Sequence, residues 1–186
     1  FKQDFDVSDN VVENYDVAPS TSKNTSNTFW ANEELMPYLW GFFNFGQFKG
    51  STEGADGRMA DVFETLKTPS SGIKNDKKSQ EKNTIAIIDT GINYNHQDIN
   101  PNIWVNSKDQ WDDGKDNDKN GYVDDTFGYD FVNNRPLGWD DDGHGTHVAG
   151  TAGGAANNLG ILGTNPAANI MNVKVLGSDG GTTAGF

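Results

Sequence analysis

Three short stretches of the chain have the hydrophobic pattern of buried β-strands. Residues 84–89, Thr-Ile-Ala-Ile-Ile-Asp, form a nearly continuous apolar run that predicts a strand buried on both faces, as in a parallel sheet. Residues 128–132 and 169–176 carry similar β-branched and aromatic runs. The small residues that follow His144 predict a helix between the second and third strands. The order strand, acidic loop, strand, helix, strand predicts an α/β protein with a parallel sheet in an αβα layer fold.

The remaining pattern predicts a further helix and a linker. Met59, Val62, Phe63 and Leu66 recur at helical spacing, which predicts a short amphipathic helix over residues 59–66. Residues 1–32 are polar and acidic and include a Ser/Thr/Asn tract, a composition typical of a disordered linker. Because 186 residues fit one domain, we divide the chain into a polar linker at 1–32 and a single domain at 33–186.

Two polar residues lie at positions where such a fold usually carries catalytic or binding residues. Asp89 ends the first strand, at the edge where open α/β sheets hold their sites. His144 begins the predicted helix, where the positive end of the dipole favours a neutral imidazole that acts as a base near pH 7. If they meet, Asp89 accepts a hydrogen bond from one ring nitrogen and stabilises the imidazolium formed during reaction. His147 is predicted to be a packed structural histidine.

The residues around this pair resemble the motifs of subtilisin-like serine proteases, the subtilases. Residues 88–91 (Ile-Asp-Thr-Gly) are similar to the family's aspartate motif, and residues 144–151 (His-Gly-Thr-His-Val-Ala-Gly-Thr) to its histidine motif. The order of aspartate before histidine also fits the family. Residues 96–99 and 40–42 resemble further family segments, so the resemblance covers residues 36–186.

This resemblance implies a subtilisin-like fold, a three-layer αβα arrangement around a mainly parallel sheet, incomplete in this chain. It also implies a serine endopeptidase in which Asp89 orients His144 and His144 deprotonates a serine. The family's Gly-Thr-Ser-(Met/Ala) motif does not occur in the 186 residues, and Ser178 is the only serine after His144. We therefore expect the N-terminal part of a catalytic domain, inactive by itself because it has no serine nucleophile.

The resemblance also implies partners and surroundings. Leu176, Gly180, Gly181 and Thr182 would form the rim on which a peptide or protein substrate pairs as an added antiparallel strand. Residues 1–32 would be the remnant of a prosegment, which is a further candidate partner. We expect a secreted protein or one in a compartment of the secretory pathway.

An acidic loop predicts a structural Ca²⁺ ion. Eleven aspartates and no glutamate occur between positions 109 and 142. Asp116, Asp118, Asn120 and Asp124 occupy ligand positions 1, 3, 5 and 9 of an EF-hand loop, but Phe127 replaces the glutamate at position 12. The alternative is a solvated acidic loop. Subtilases with a similar acidic stretch before the histidine favour calcium.

A second calcium site is implied by the resemblance alone. The loop at residues 157–161 would wrap a cation through Asn157 and backbone carbonyl groups, with Asp98 as the carboxylate. The glutamine that completes this site in the family is not evident near Leu39 and Trp40. Without the resemblance, the two asparagines at 157 and 158 would predict a turn after a helix.

Composition excludes several other classes of protein. The 14 basic and 27 acidic residues give a net charge of −13, which excludes a generic nucleic-acid or anionic-membrane surface. The absence of cysteine excludes disulfides and a thiol nucleophile within these residues. No run of about 18 apolar residues occurs, so we predict no membrane segment in this stretch. The alternatives to an enzyme are a non-catalytic calcium-binding module and a pseudoprotease on the same scaffold.

Overall fold

The computed structural model describes residues 33–66, 82–179 and 181. Short 3₁₀ helices lie at Met36–Tyr38 and Asn100–Asn102. The longer elements of these residues are, in chain order, α1 (Met59–Leu66), β1 (Thr84–Asp89), β2 (Tyr129–Asp130), β3 (Arg135–Pro136), α2 (His144–Gly153) and β4 (Asn169–Lys174). The helix predicted at 59–66 is confirmed. The predicted linker at 1–32 lies outside the described residues.

The strands form one mainly parallel sheet in the order β1-β4-β2-β3. β1 pairs in parallel with β4, which places Asp89 opposite Lys174. β2 pairs in parallel with the other side of β4, with Asp130 beside the same lysine, and β3 returns antiparallel to β2. The register therefore brings the carboxyl ends of three strands to one edge of the sheet, where a site was predicted.

Helix α2 covers one face of this sheet. The apolar side chains buried between helix and sheet are Ile87, Ile92, Ile99, Ala149, Ala168 and Ile170. Burying each isoleucine contributes about 1.5–3 kcal/mol, so this cluster is a main source of stability. Ala86 and Ile88 point to the opposite face, because side chains alternate along a strand. Both are exposed, Ile88 to 65%, so the prediction that β1 is buried on both faces is wrong for the described residues.

A second apolar cluster attaches the N-terminal segment (residues 33–48) to the rest of the domain. Met36 of this segment is buried with Ala60 and Phe63 of α1 and with Leu162 from the loop after α2. The backbone N–H of Leu35 donates to a carbonyl of that same loop. This cluster therefore brings residues that precede α1 next to residues that follow α2.

The described residues thus form an α/β domain with a mainly parallel sheet, the arrangement expected of a subtilisin-like αβα fold that is incomplete in this chain. Within this described part of the chain, no helix has the length and apolar character that crossing a membrane requires.

The close contact between α2 and β1 gives a first prediction. A Cβ atom on Gly145 would overlap the carbonyl oxygen of Gly91, just beyond β1. We expect Gly145→Ala to lower the free energy of unfolding by about 2 kcal/mol, measured by urea denaturation, because the helix must move away from the strand.

Gly150→Ala in the same helix is the matched control. A Cβ at this position would meet only the side chain of Ile161, at 3.4 Å. We expect this variant to be neutral or more stable by up to about 1 kcal/mol, because alanine favours the helix over glycine. Equal losses in the two variants would contradict the steric explanation.

Candidate active site

Asp89 and His144 meet at the carboxyl edge of the sheet. Nδ1 of His144 donates to the carboxylate of Asp89, at 2.8 Å from Oδ1 and 2.9 Å from Oδ2. Asp89 is buried at the end of β1, and Oδ1 also accepts the backbone N–H of Thr90 at 2.7 Å. The His144 side chain is 63% exposed. Because Nδ1 donates its hydrogen to Asp89, Nε2 is the ring nitrogen that remains available to a reacting group.

The charge of Asp89 dominates the titration of His144. The hydrogen bond to Asp89 and the carboxylate's charge raise the pKa of His144 above 6.5, and the carboxylates of Asp142 and Asp140 add to this increase. The expectation that the helix dipole keeps the imidazole neutral is therefore wrong in direction. A carboxylate in direct contact outweighs the partial charge of a helix end. His147 is exposed, so the prediction of a packed structural histidine is also wrong.

A buried lysine that the sequence analysis did not identify supports the same edge. Lys174 is 1% exposed, and its Nζ donates to the carbonyl oxygens of Thr90 and Leu176 and, at 2.7 Å, to Oδ1 of Asp141. It thereby joins the ends of β1 and β4 to the loop before α2. Side chains alternate along β4, which places Lys174 on the buried face. The sequence pattern does not show which polar groups a lysine in such a strand would contact.

The predicted substrate rim begins immediately after β4. Leu176 donates its backbone N–H to the carbonyl oxygen of Asp89 at 3.2 Å. Gly181 accepts the backbone N–H of Gly177 at 2.9 Å, which closes a turn beside the site. Gly180 and Thr182 lie outside the described residues. The rim thus starts next to Asp89, and its role in substrate binding stays a prediction.

The acidic loop brings together three of its four predicted calcium ligands. The backbone N–H of Asn120 is shared between Asp116 and Asp118, at 3.0 and 3.1 Å. The side-chain amide of Asn120 donates to Asp118 at 3.3 Å. Hydrogen bonds within the loop therefore hold the three side chains close together.

The fourth predicted ligand, Asp124, faces a different turn. Its carboxylate accepts the backbone N–H groups of Asp113 and Gly114. Asp125 turns towards the loop instead, and burial raises the pKa of its carboxyl, with the charges of Asp118 and Asp109 adding to the increase. Across residues 33–66, 82–179 and 181, no group of three or more His, Cys, Asp or Glu side chains is arranged to hold a metal ion.

The second predicted calcium position contains two buried carboxylates with few hydrogen bonds. Asp98 is 2% exposed; Oδ2 accepts the N–H of Ile161 at 2.9 Å, whereas Oδ1 has no hydrogen-bond partner. Asn157 lies in the adjacent loop, where its side-chain oxygen accepts the N–H of Leu159 at 3.0 Å. Glu33 is 3% exposed at the same place, and neither of its carboxylate oxygens has a partner within hydrogen-bonding geometry.

Glu33 is the residue that the sequence analysis missed at this position. Burial raises the pKa of its carboxyl, the backbone N–H groups of residues 157–159 partly offset this, and the charge of Asp98 raises it further. Burial likewise raises the pKa of Asp98. Uncompensated buried charges are costly, and a hard cation with oxygen ligands would offset the charges of both carboxylates. Glu33 is far from this loop in sequence, so no local pattern indicated the contact.

Comparison with known proteins agrees with these motifs. The family model described as the subtilase family matches residues 80–185. Subtilisin-like protease 1 of Plasmodium berghei (strain Anka) is 37% identical over 142 residues, which cover 75% of this chain and 22% of that protein. Subtilisin-like protease 1 of Plasmodium vivax is 45% identical over 94 residues, covering 50% of this chain and 15% of that protein. Thermitase of Thermoactinomyces vulgaris is 36% identical over 100 residues, which cover 53% of this chain and 28% of that protein. The chain therefore spans less than a third of the length of each relative.

The bond between Asp89 and His144 predicts a pH-dependent contribution to stability. Asp89 raises the pKa of His144 above its ordinary 6.5, so protonated His144 favours the folded state. This contribution is fully present below about pH 6.5 and is lost as the pH rises through the folded-state pKa. We expect the stability difference between wild type and Asp89→Asn to be larger at about pH 6 than at a pH above that folded-state pKa.

The measurement is urea denaturation across this pH range, together with an NMR titration of the histidine rings. The pKa of His144 should fall in Asp89→Asn, and the exposed His147 provides an internal control in the same spectra. An unchanged pKa of His144 would contradict the assignment.

Proposed function

The chain belongs to the subtilase family, and on that premise we propose that the full-length protein is a serine endopeptidase in which Asp89 and His144 are two members of the catalytic triad. The observation that carries this proposal is the pair of contacts between His144 Nδ1 and the two oxygens of Asp89, at 2.8 and 2.9 Å. The carboxylate holds the imidazole in the tautomer that leaves Nε2 free to accept a proton.

The mechanism follows from this geometry. Nε2 of His144 would remove the proton from a serine hydroxyl as that oxygen attacks the peptide carbonyl carbon. Asp89 would stabilise the resulting imidazolium, as the increase that it causes in the pKa of His144 indicates. His144 would then donate the proton to the leaving amine, and water would hydrolyse the acyl-enzyme by the same steps.

The serine nucleophile is the part of the mechanism that these residues do not supply. No Gly-Thr-Ser-(Met/Ala) motif occurs in the sequence, and Ser178 directly follows Gly177, whose N–H donates to Gly181. We propose that a serine outside residues 1–186 completes the triad. Residues 1–186 alone are then expected to show no peptidase activity.

Peptides and proteins are the substrates that we propose. Leu176 begins the rim beside Asp89, and an extended peptide would pair along the residues that follow it, including Gly180, Gly181 and Thr182. A prosegment that includes residues 1–32 would be a further partner. The proposal that the protein is exported follows from its family alone.

Calcium is the ion that we propose for the site formed by Glu33, Asp98 and the loop that contains Asn157. The buried carboxylates of Glu33 and Asp98 support this choice, because no side chain donates a hydrogen bond to Glu33 and a divalent ion would compensate two buried charges at once. A bound ion would join the N-terminal segment to the loop after α2. The acidic loop of Asp116, Asp118 and Asn120 is a weaker candidate, because most of its oxygens already accept hydrogen bonds.

A calcium-binding module without catalytic activity is the alternative function. The buried carboxylates of Glu33 and Asp98 would favour this alternative if the Asp89–His144 pair had no catalytic role. The aligned pair favours the enzyme, because a module that only binds calcium has no use for a histidine oriented by a buried carboxylate.

Peptide hydrolysis by the full-length protein tests the enzymatic proposal. We expect His144→Ala to lower kcat by about 10⁶-fold, the scale measured for loss of the histidine in subtilisin, which belongs to the same family. His147→Ala is the matched control, because this exposed histidine lies in the same helix and the Asp89 carboxylate bonds His144 instead, so its activity should be close to wild type.

Two results would contradict the proposal. One is activity in His144→Ala comparable to that of the wild type or of His147→Ala. The other is hydrolysis by residues 1–186 alone, which would show that the nucleophile lies within them.

Calorimetric titration of the full-length protein with CaCl₂ tests the metal proposal. We expect Glu33→Ala to weaken calcium binding, because it removes one of the two buried carboxylates, and Glu34→Ala, an exposed neighbour, to leave binding unchanged. At a calcium concentration 100-fold above Kd, the ion should stabilise the fold by about 2.7 kcal/mol, and EDTA should remove this increment.

The double variant Asp116→Ala/Asp118→Ala separates the acidic loop from this site. Its calcium binding should match wild type if Glu33 and Asp98 hold the ion. Equal affinity in Glu33→Ala and wild type would contradict the assignment.

A further inference from the structure

Helix α2 begins without a capping side chain of its own. The first N–H groups of a helix have no partner within the helix, and its N-cap residue, Gly143, has no side chain to offer one. Asp140, three residues earlier, fills this role. Its Oδ1 accepts the N–H of Gly143 at 2.8 Å, and its Oδ2 accepts the N–H of Thr146 at 2.8 Å.

The same carboxylate also contacts the end of β1. Oδ1 of Asp140 accepts the hydroxyl hydrogen of Thr90 at 2.8 Å. The Thr90 hydroxyl in turn accepts the N–H of Gly145 at 2.9 Å. Thr90 directly follows Asp89, and Gly145 directly follows His144. The Thr90 hydroxyl therefore links the residue after Asp89 to the residue after His144, and the Asp140 carboxylate holds this hydroxyl in place.

Asp140 is saturated and buried, which makes the bridge rigid. Asp140 is 9% exposed, and its two carboxylate oxygens accept five hydrogen bonds. The donors are the Thr90 hydroxyl, the N–H groups of Asp142, Gly143 and Thr146, and the Thr146 hydroxyl. Burial alone would raise the pKa of Asp140, but the hydrogen bonds from Thr146, Gly143 and Thr90 outweigh it and hold the carboxyl below its ordinary value.

We propose that Asp140 is a positioning residue for the catalytic pair: its carboxylate fixes the start of α2 against the end of β1 and so aligns the imidazole of His144 with Asp89. An ordinary N-cap side chain would stabilise α2 without contacting β1. The contact with Thr90 is what ties the helix to the strand that carries Asp89. The role in catalysis rests on the function proposed above, whereas the alignment of the two side chains does not.

The first test compares Asp140→Asn with Asp142→Asn in the full-length protein. The asparagine at 140 keeps the shape but turns an NH₂ group towards backbone donors, which breaks part of the bridge. Asp142 accepts the backbone N–H of His144 at 3.1 Å, and its charge raises the pKa of that histidine. Its variant therefore controls for the loss of a negative charge beside His144.

NMR of isotopically labelled histidine provides a readout that stability alone does not move. In Asp140→Asn we expect the proton signal of His144 Nδ1 to broaden or disappear through exchange with water and the His144 pKa to fall. In Asp142→Asn we expect a smaller fall in that pKa with the Nδ1 signal retained. If the two variants give the same signal and the same pKa, the proposal is overturned.

A second pair of variants decides the question if Asp140→Asn does not fold. Thr90→Val removes the hydroxyl that links Asp140 to Gly145 and keeps the side-chain shape, whereas Thr90→Ser keeps the hydroxyl. We expect Thr90→Val to lose the Nδ1 signal of His144 and Thr90→Ser to retain it. Retention of the signal in both variants would overturn the proposal.

Kinetics of the full-length protein then separate positioning from substrate binding. We expect Asp140→Asn and Thr90→Val to lower kcat by about 10- to 100-fold while KM changes less than about twofold, because a misaligned base affects the chemical step. A rise in KM at constant kcat would overturn the role in catalysis. If the wild type cleaves no peptide, the proposed function fails, but the Nδ1 signals still decide whether Asp140 aligns His144 with Asp89.

Discussion

The parallel pairing of β1 with β4 is the constraint on which the site depends. It places Asp89 opposite Lys174 at one edge of the sheet and gives α2 a surface on which to pack. Because Gly145 has no side chain, the first turn of α2 reaches the backbone at the end of β1. A histidine at the first position of this helix is therefore within hydrogen-bonding distance of the aspartate at the end of that strand. Any change that separates the helix from the strand would break the pair without altering either residue.

The sequence was most informative where local pattern and chemistry coincide. Asp89 ends an apolar run and His144 starts a helix, so both positions followed from strand and helix signals together with the family's motifs. The contacts that Lys174 and Asp140 make around this pair did not follow, because each includes a partner distant in sequence, and neither did the position of Glu33 beside the Asn157 loop. A buried lysine in an apolar strand, or an aspartate among several in one loop, has no local feature that identifies its partner.

Two of the predictions that were wrong have physical reasons that the fold makes clear. The apolar run of β1 indicated burial on both faces, but the described residues cover only the face on which α2 packs, and Ile88 is exposed. The dipole of α2 was expected to keep His144 neutral, but a carboxylate in direct contact acts more strongly than a helix end. In both cases a local rule was correct in itself, and a neighbour that is distant in sequence decided the outcome.

Buried carboxylates in this domain have three different surroundings. Asp89 is paired with an imidazole, Asp140 with hydroxyl and peptide N–H groups, and Glu33 with no side chain that donates a hydrogen bond to it. The first arrangement suits proton transfer, and the second suits fixed geometry. The third suits an ion that arrives from solvent. We propose that the first of these, the Asp89–His144 pair, activates a serine that lies outside residues 1–186. The most direct measurement is to react the full-length protein with a fluorophosphonate and to locate the modified residue by mass spectrometry. We expect one modified serine outside residues 1–186, with labelling that is lost in His144→Ala. Labelling that does not depend on His144, or no labelled serine at all, would contradict it.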